Sequence, residues 1–352
     1  MTQSPDPSPA RAYLDLALKS FEKAAARSNA SVSRQFAIAD KIIQFNIATG
    51  PMDRHISRGL AHVEVRASHN PDLTIYAWET ESSDAEHLRP AWENDAYGFH
   101  GLISGFNDAR FHTVMQFDPH ILRLIDFERH EAIYWMPTVR DMPVWERGAP
   151  ARPLLHEWLR HQGLIPVHGG AVGTSAGGIF LAGAGGSGKS NLALSCLKSS
   201  PLFYASDDFC VLSKNPWAIH SLYNTAKIDA GDMVRHPHLK NLESNPTQLE
   251  NEKALFFLHE HFAERLIKSL TLKAIVLPRV TSAPHSKLVE KSPGAAQRAI
   301  AMSTIQMSRS TAGFTFGNVA QFVRALPCYE LQIGSDAGEG ARLLQNLLAA
   351  LS

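Results

Sequence analysis

Gly183-Ala-Gly-Gly-Ser-Gly-Lys-Ser190 decides how this chain reads. The stretch meets the phosphate-binding pattern G-x-x-x-x-G-K-[ST] at every fixed position. A triphosphate must be wrapped closely by backbone N–H groups, and side chains would obstruct that approach, which accounts for Gly183, Gly185, Gly186 and Gly188. Lys189 sets a point charge against the outer phosphates, and the Ser190 hydroxyl can take a place on Mg²⁺. The flanks agree with this reading. Ile179-Phe-Leu-Ala182 reads as a short buried strand entering the loop. Ser190 to Leu197 reads as a helix leaving it, with Leu192/Cys196 and Ala193/Leu197 paired at i,i+4. The helix N-terminus adds positive potential where phosphates would sit. The expected nucleotide contacts run through Gly183, Ala184, Gly185, Gly186, Ser187, Gly188, Lys189, Ser190 and Asn191.

The chain has 352 residues, of which 44% are hydrophobic and 19% charged. That is enough apolar material for a packed interior and enough length for two ordinary domains. Lys+Arg and Asp+Glu both number 34, so no excess of positive charge points to nucleic acid. Cys196, Cys210 and Cys328 sit in apolar surroundings without a CxxC, and read as buried thiols of a reducing compartment. The opening Met1–Pro9 is polar and Pro-rich, with neither the basic nor the apolar region of a secretion signal. No apolar run approaches the ~20 residues that span a bilayer. A soluble cytoplasmic protein with no membrane or nucleic-acid partner is expected.

Residues 1–30 read as a tail followed by a helix from Pro9 to Arg27. Residues 31–148 read as a β-rich domain: Phe36–Phe45, Ala61–Arg66, Asp72–Trp78, Val114–Phe117, Ile121–Ile125 and Ala132–Trp135 carry strand patterns. A Gly/Pro cluster at Glu146–Pro153 marks the expected boundary, with residues 149–352 beyond it. There the spacing predicts a short helix at 154–161, a strand at 164–172, a turn into the loop's own strand, and strands at 202–212, 217–222 and 225–228. Leu249 to Lys268 reads as a long amphipathic helix, Leu272–Leu277 as a buried strand, and 312–323 as ambiguous. Cys328–Ile333 reads as a last strand, and Ser335-Asp336 as the cap of a final helix.

Phosphoryl transfer needs a phosphate cradle, a metal and an oriented nucleophile. Asp207 and Asp208 follow Lys189 by one helix, a turn and a strand, which can return both carboxylates to the loop. One can hold Mg²⁺ and the other accept the proton of an attacking hydroxyl. Adjacent strand residues face opposite ways, so both serve only if the strand ends or bulges there.

His168-Gly169, a hairpin, GAGGSGKS and Asp207-Asp208 one helix later together resemble the C-terminal catalytic domain of the HPr kinase/phosphorylase family, and more closely the HPr kinase-related proteins. The resemblance covers roughly residues 150–350 and is most specific over 164–212. It implies an α/β kinase domain with a mixed sheet behind a smaller β-rich α+β domain, using ATP with Mg²⁺ to phosphorylate a serine hydroxyl. Carried over, Lys189 and Ser190 bind phosphate and metal, Asp207 and Asp208 supply base and metal ligand, and His168 stands near the phosphates. The family also allows a homo-oligomer. Its second signature, of Glu-Ile-Arg-Gly-Leu-Gly type, is missing; Tyr223–Asp229 occupies that place without matching. The acceptor is therefore open: a protein, a peptide or a small molecule bearing a hydroxyl.

Lys227 and Arg279 end expected strands and are further candidates for neutralising transition-state charge. His259-Glu-His261 does not complete a zinc motif, since position 263 is Ala263. Three other readings compete: a metabolite kinase of the shikimate-kinase type, an ATPase or transporter motor, and a nucleotide-binding regulator without catalysis. The first usually begins with its phosphate loop, and the second carries an LSGGQ-type segment that this chain lacks.

Overall fold

The structure is a computed structural model and describes residues 8–67, 70–83, 86–140, 142–199, 201–305 and 312–351. The chain divides into two compact units. The first holds the residues up to Leu60 with Glu64–His161, and the second Ala61–Val63 with Gln162 onward. Of the tail expected at 1–9, residues 1–7 lie outside the described residues. Among the described residues no helix is long and apolar enough to cross a membrane.

In the first unit Ser8 caps helix α1 (Pro9–Arg27), its hydroxyl accepting from the Arg11 N–H at 3.3 Å, with proline at the first helical position. Leu14, Ala17, Phe21 and Ala24 put one apolar stripe of α1 into a core shared with Trp78, Leu124 and Ile133. The helix is thus part of the first unit and not a separate N-terminal segment. The expected run Phe36–Phe45 is a hairpin, β1 (Val32–Ile38) and β2 (Lys41–Ile47), turned at Ala39 with a positive φ of 56°. Helix α2 (Gly50–Leu60), missed from sequence, precedes β3 (Glu64–Val65), which is all that remains of the strand expected at Ala61–Arg66. Strands β4 (Leu73–Glu79), β5 (Phe111–Gln116), β6 (Ile121–Asp126) and β7 (Glu131–Met136) complete a sheet of order β3-β1-β2-β4-β7-β6-β5.

The Gly/Pro cluster at 146–153 is not the boundary. It joins two short helices, α3 (Val144–Arg147) and α4 (Arg152–His161), and α4 buries Leu154, Leu155, Trp158 and Leu159. An apolar helix face has to be covered, and the division falls after His161.

The second unit is built on β8 (Ile165–His168), β9 (Gly170–Thr174), β10 (Gly177–Leu181), helix α5 (Lys189–Ser199), β11 (Phe203–Ser206), β12 (Phe209–Ser213), β13 (Ala218–Ser221), and a two-stranded ribbon of β14 (Thr225–Ile228) and β15 (Ala254–Phe257). After it come α6 (His259–Phe262), β16 (Ser269–Val280), β17 (Lys287–Lys291), α7 (Pro293–Ile305), α8 (Ala312–Ala325), β18 (Cys328–Ile333) and α9 (Ala337–Ala350). The sheet is mixed: β16 lies parallel to β10 and β18 and antiparallel to β13. The architecture is therefore α/β.

The helix expected over Leu249–Lys268 is mostly absent. Ala254–Phe257 pairs antiparallel with β14, from Thr225↔Phe257 to Ile228↔Ala254. A short apolar run fits strand and helix alike until a partner is present, and this partner lies far back in sequence. The segment left ambiguous at 312–323 is α8.

Alternate residues of β10 feed two cores, as strand geometry requires. Ile179 and Leu181 join Leu192, Leu197, Leu344 and Phe256 on the α5/α9 side. Phe180 joins Ile300 and Phe322 on the α7/α8 side. The loop between β10 and α5 is thus anchored from both faces. Asp336 caps α9 as expected, accepting from the Gly338 N–H at 2.8 Å.

Candidate active site

The strand expected at 164–172 and the one at 202–212 run antiparallel, and both bend at one level. Phe209 pairs with His168 and Ser206 with Ala171, so Asp207-Asp208 stands opposite Gly169-Gly170. The Gly169 N–H donates to the Asp208 carbonyl at 3.0 Å across this corner. A Cβ at Gly169 would lie 2.4 Å from the Phe180 ring, so no larger residue fits the crossing. Neither Asp207 nor Asp208 belongs to a regular strand. That is the break in alternation which two adjacent carboxylates need if both are to serve one site.

The glycine-rich loop Gly183–Ser190 has the backbone that its glycines permit. Gly186 and Gly188 hold positive φ values of 77° and 96°, and a Cβ at Gly188 would meet Val280 at 3.1 Å and Ile333 at 3.2 Å. The buried Lys189 ammonium donates to the carbonyls of Gly183 at 2.7 Å and Ala184 at 3.1 Å, folding back over the loop. Burial lowers its pKa, against the pull of Asp208 and Asp207. Asn191 Oδ1 accepts from His236 Nε2 at 2.8 Å and its amide nitrogen donates to Asp232 at 3.0 Å, so it ties the first turn of α5 to the segment after β14.

Asp207 is 2% exposed, and its Oδ1 has no hydrogen-bond partner. Burial and the neighbouring Asp208 charge push its carboxyl up to about 7, against the favourable Lys227 charge and hydrogen bonds from the Ser190 and Tyr204 hydroxyls. An orphaned carboxylate oxygen beside a loop hydroxyl is costly unless something completes it. Carboxylate and hydroxyl oxygens are ligands that Mg²⁺ takes, so Asp207 and Ser190 fit that ion.

Asp208 differs from its neighbour. Its Oδ1 lies 3.0 Å from His168 Nε2 and its Oδ2 2.6 Å from the Lys227 ammonium. Although burial opposes it, Lys227 and His168 hold Asp208 well below the usual carboxylate range. Two adjacent residues are thus pushed apart in proton affinity by their surroundings, a pattern typical of acid–base sites. Lys227 also lies 5.1 Å from the centre of the Phe209 ring.

His168 is fixed through its backbone. Its N–H donates to Thr304 Oγ1 at 3.2 Å, and its carbonyl accepts from Ser303 Oγ at 3.4 Å. These contacts from α7 had no sequence signal, because they join segments far apart in the chain. Lys227, a weaker candidate from sequence, is in the site. Arg279 turns instead to Glu330 at 3.1 Å and is mostly exposed.

Neither a family model nor a curated protein matches the chain. Among solved structures, the HPr(Ser) kinase/phosphatase from Coxiella burnetii resembles it weakly, with a TM-score of 0.28 and 8% identity over 53% of this chain and 93% of that one. A likeness at that level supports no conclusion about the chemistry.

Proposed function

We propose that the second unit is an ATP- and Mg²⁺-dependent phosphotransferase acting on a hydroxyl. The observation that carries this reading is Asp207: a buried carboxylate with one unpartnered oxygen, set beside Ser190 of a phosphate-binding loop. Asp207 and Ser190 would hold Mg²⁺, which when bound neutralises charge on the phosphate oxygens. Lys189 leaves the Gly183 and Ala184 carbonyls for the outer phosphates. The acceptor oxygen bonds to the γ-phosphorus, the bond from that phosphorus to the bridging oxygen breaks, and ADP leaves with the electron pair. The hydroxyl proton passes to Asp208. A weakly basic carboxylate suits this role, because in a loose transition state the proton becomes acidic only as its oxygen joins phosphorus. His168 and Lys227 keep Asp208 ionised and aimed. Serine in a protein or peptide is the acceptor class favoured by the resemblance to the HPr kinase/phosphorylase family, and the first unit is the candidate for selecting it.

The test is purified protein with Mg²⁺ and γ-labelled ATP, lysate of the same cells as acceptor, beside Lys189→Ala and Asp207→Asn. Labelling by the wild type and by neither variant is expected, and mass spectrometry of the product then names the acceptor. Failure of the wild type to bind ATP would overturn the reading. Binding without labelling or phosphate release would favour a nucleotide-binding regulator.

A further inference from the structure

The ribbon β14–β15 has two unlike faces. Ala226, Ile228, Ala254 and Phe256 all enter the core with α5, which fixes the ribbon against the helix that carries Lys189. Asp229 and Lys253 meet one step beyond the last paired residues, Ile228 and Ala254, and strand alternation turns Lys227 to the other face. Lys227 reaches Asp208 from there. Lys253 stands across from Asp229, their charged groups 3.2 Å apart. It is therefore a diagonal neighbour of Lys227, roughly 7 Å away.

Three lysines thus stand on the loop or on the ribbon face that carries Lys227, and they are committed to different degrees. Lys189 is buried on loop carbonyls, and Lys227 is bound closely to Asp208. Lys253 is paired with a carboxylate that is 69% exposed, and is itself 53% exposed. Exposed pairs of this kind hold weakly, so this ammonium can exchange Asp229 for a stronger anion at little cost.

Resting on the phosphotransferase reading, we propose that Lys253 is a catalytic cation that leaves Asp229 to contact the transferring phosphoryl group as negative charge builds on it. Lys189 serves the bound nucleotide, and Lys253 serves the transition state. The sequence concealed this role because Lys253 lay within a stretch that reads as helix.

The experiment measures Mg·ATP affinity and the turnover of ATP, with water and with lysate as acceptors, for the wild type, Lys253→Met, Lys253→Arg and Asp229→Asn. The wild type is assayed first: absence of ATP binding or turnover there overturns the phosphotransferase reading itself, before any variant is compared. Given an active wild type, Lys253→Met is expected to lower kcat about a hundredfold, as removal of one transition-state donor does, with Mg·ATP affinity within threefold. Lys253→Arg should recover at least a tenth of the wild-type rate. Asp229→Asn should stay within threefold of it. Retention of kcat within twofold by Lys253→Met overturns the inference, as does a loss confined to ATP affinity. Thermal unfolding of Lys253→Met should match the wild type, and a large drop would assign the residue to the fold instead.

Discussion

Asp207→Asn is expected to make the protein more stable while removing its activity. In the metal-free protein the Asp207 carboxyl is pushed from its ordinary 3.8 to about 7, chiefly by burial and then by Asp208. The folded chain thus holds this proton to a higher pH than the unfolded chain does. Stability from this group is full below pH 3.8 and declines as pH rises through about 7. The difference between those values, at about 1.36 kcal/mol per pH unit, comes to about 4 kcal/mol above pH 7. Asparagine removes the charge at nearly constant volume, but its amide must share the Ser190 and Tyr204 hydroxyls. A gain of about 2–4 kcal/mol at pH 8, vanishing near pH 4, follows. Thermal unfolding at both pH values reads it as a rise of roughly 5–15 °C at pH 8 alone. Added Mg²⁺ should raise the wild-type transition and leave the variant unmoved. An equal effect at both pH values, or a loss of stability at pH 8, would refute the claim that buried charge is the cause. The trade is the one expected where a site keeps an unfavourable group for its chemistry.

Gly188→Ala places a Cβ 3.1 Å from Val280 at a φ of 96°, and should weaken ATP binding by about tenfold or more and cost roughly 1–2 kcal/mol; titration with a fluorescent ATP analogue checks this. In the first unit, Arg123 bonds Glu146 at 2.7 Å with both side chains buried, so Arg123→Met should destabilise that unit by about 3–5 kcal/mol by stranding a charge. Replacing Glu146 by leucine as well should restore most of the loss, read by urea unfolding. His55 bonds the Tyr134 hydroxyl at 2.9 Å beside Glu146 and is pushed from 6.5 down to about 4, mainly by burial. It is neutral when folded, so its contribution is complete above pH 6.5 and about 3 kcal/mol is lost as pH falls to 4. Tryptophan fluorescence suits both measurements, since Trp78, Trp92, Trp135, Trp145 and Trp158 lie in the first unit and Trp217 in the second. His55→Gln should flatten the pH dependence.

The strand, glycine-rich loop and helix around Gly183–Ser190 were legible in the sequence because their conformation is local. Glycines at 183, 185, 186 and 188 set the backbone, a short apolar strand leads in, and an amphipathic helix leads out, all within about two dozen residues. The Asp207-Asp208 pair stood out for a similar reason, being charged residues in an apolar run. Helix α1, strand β14 and the cap at Asp336 were equally local. What the pair can do was decided by tertiary structure. The corner opposite Gly169-Gly170, the orphaned oxygen of Asp207 and the His168–Asp208–Lys227 contacts all depend on strands meeting across long separations. Ala254–Phe257 shows the physical reason most plainly. Its apolar run carries no preference between helix and strand until β14 offers a row of unpaired backbone groups, and that pairing sets Lys253 across from Asp229 on the ribbon face that carries Lys227.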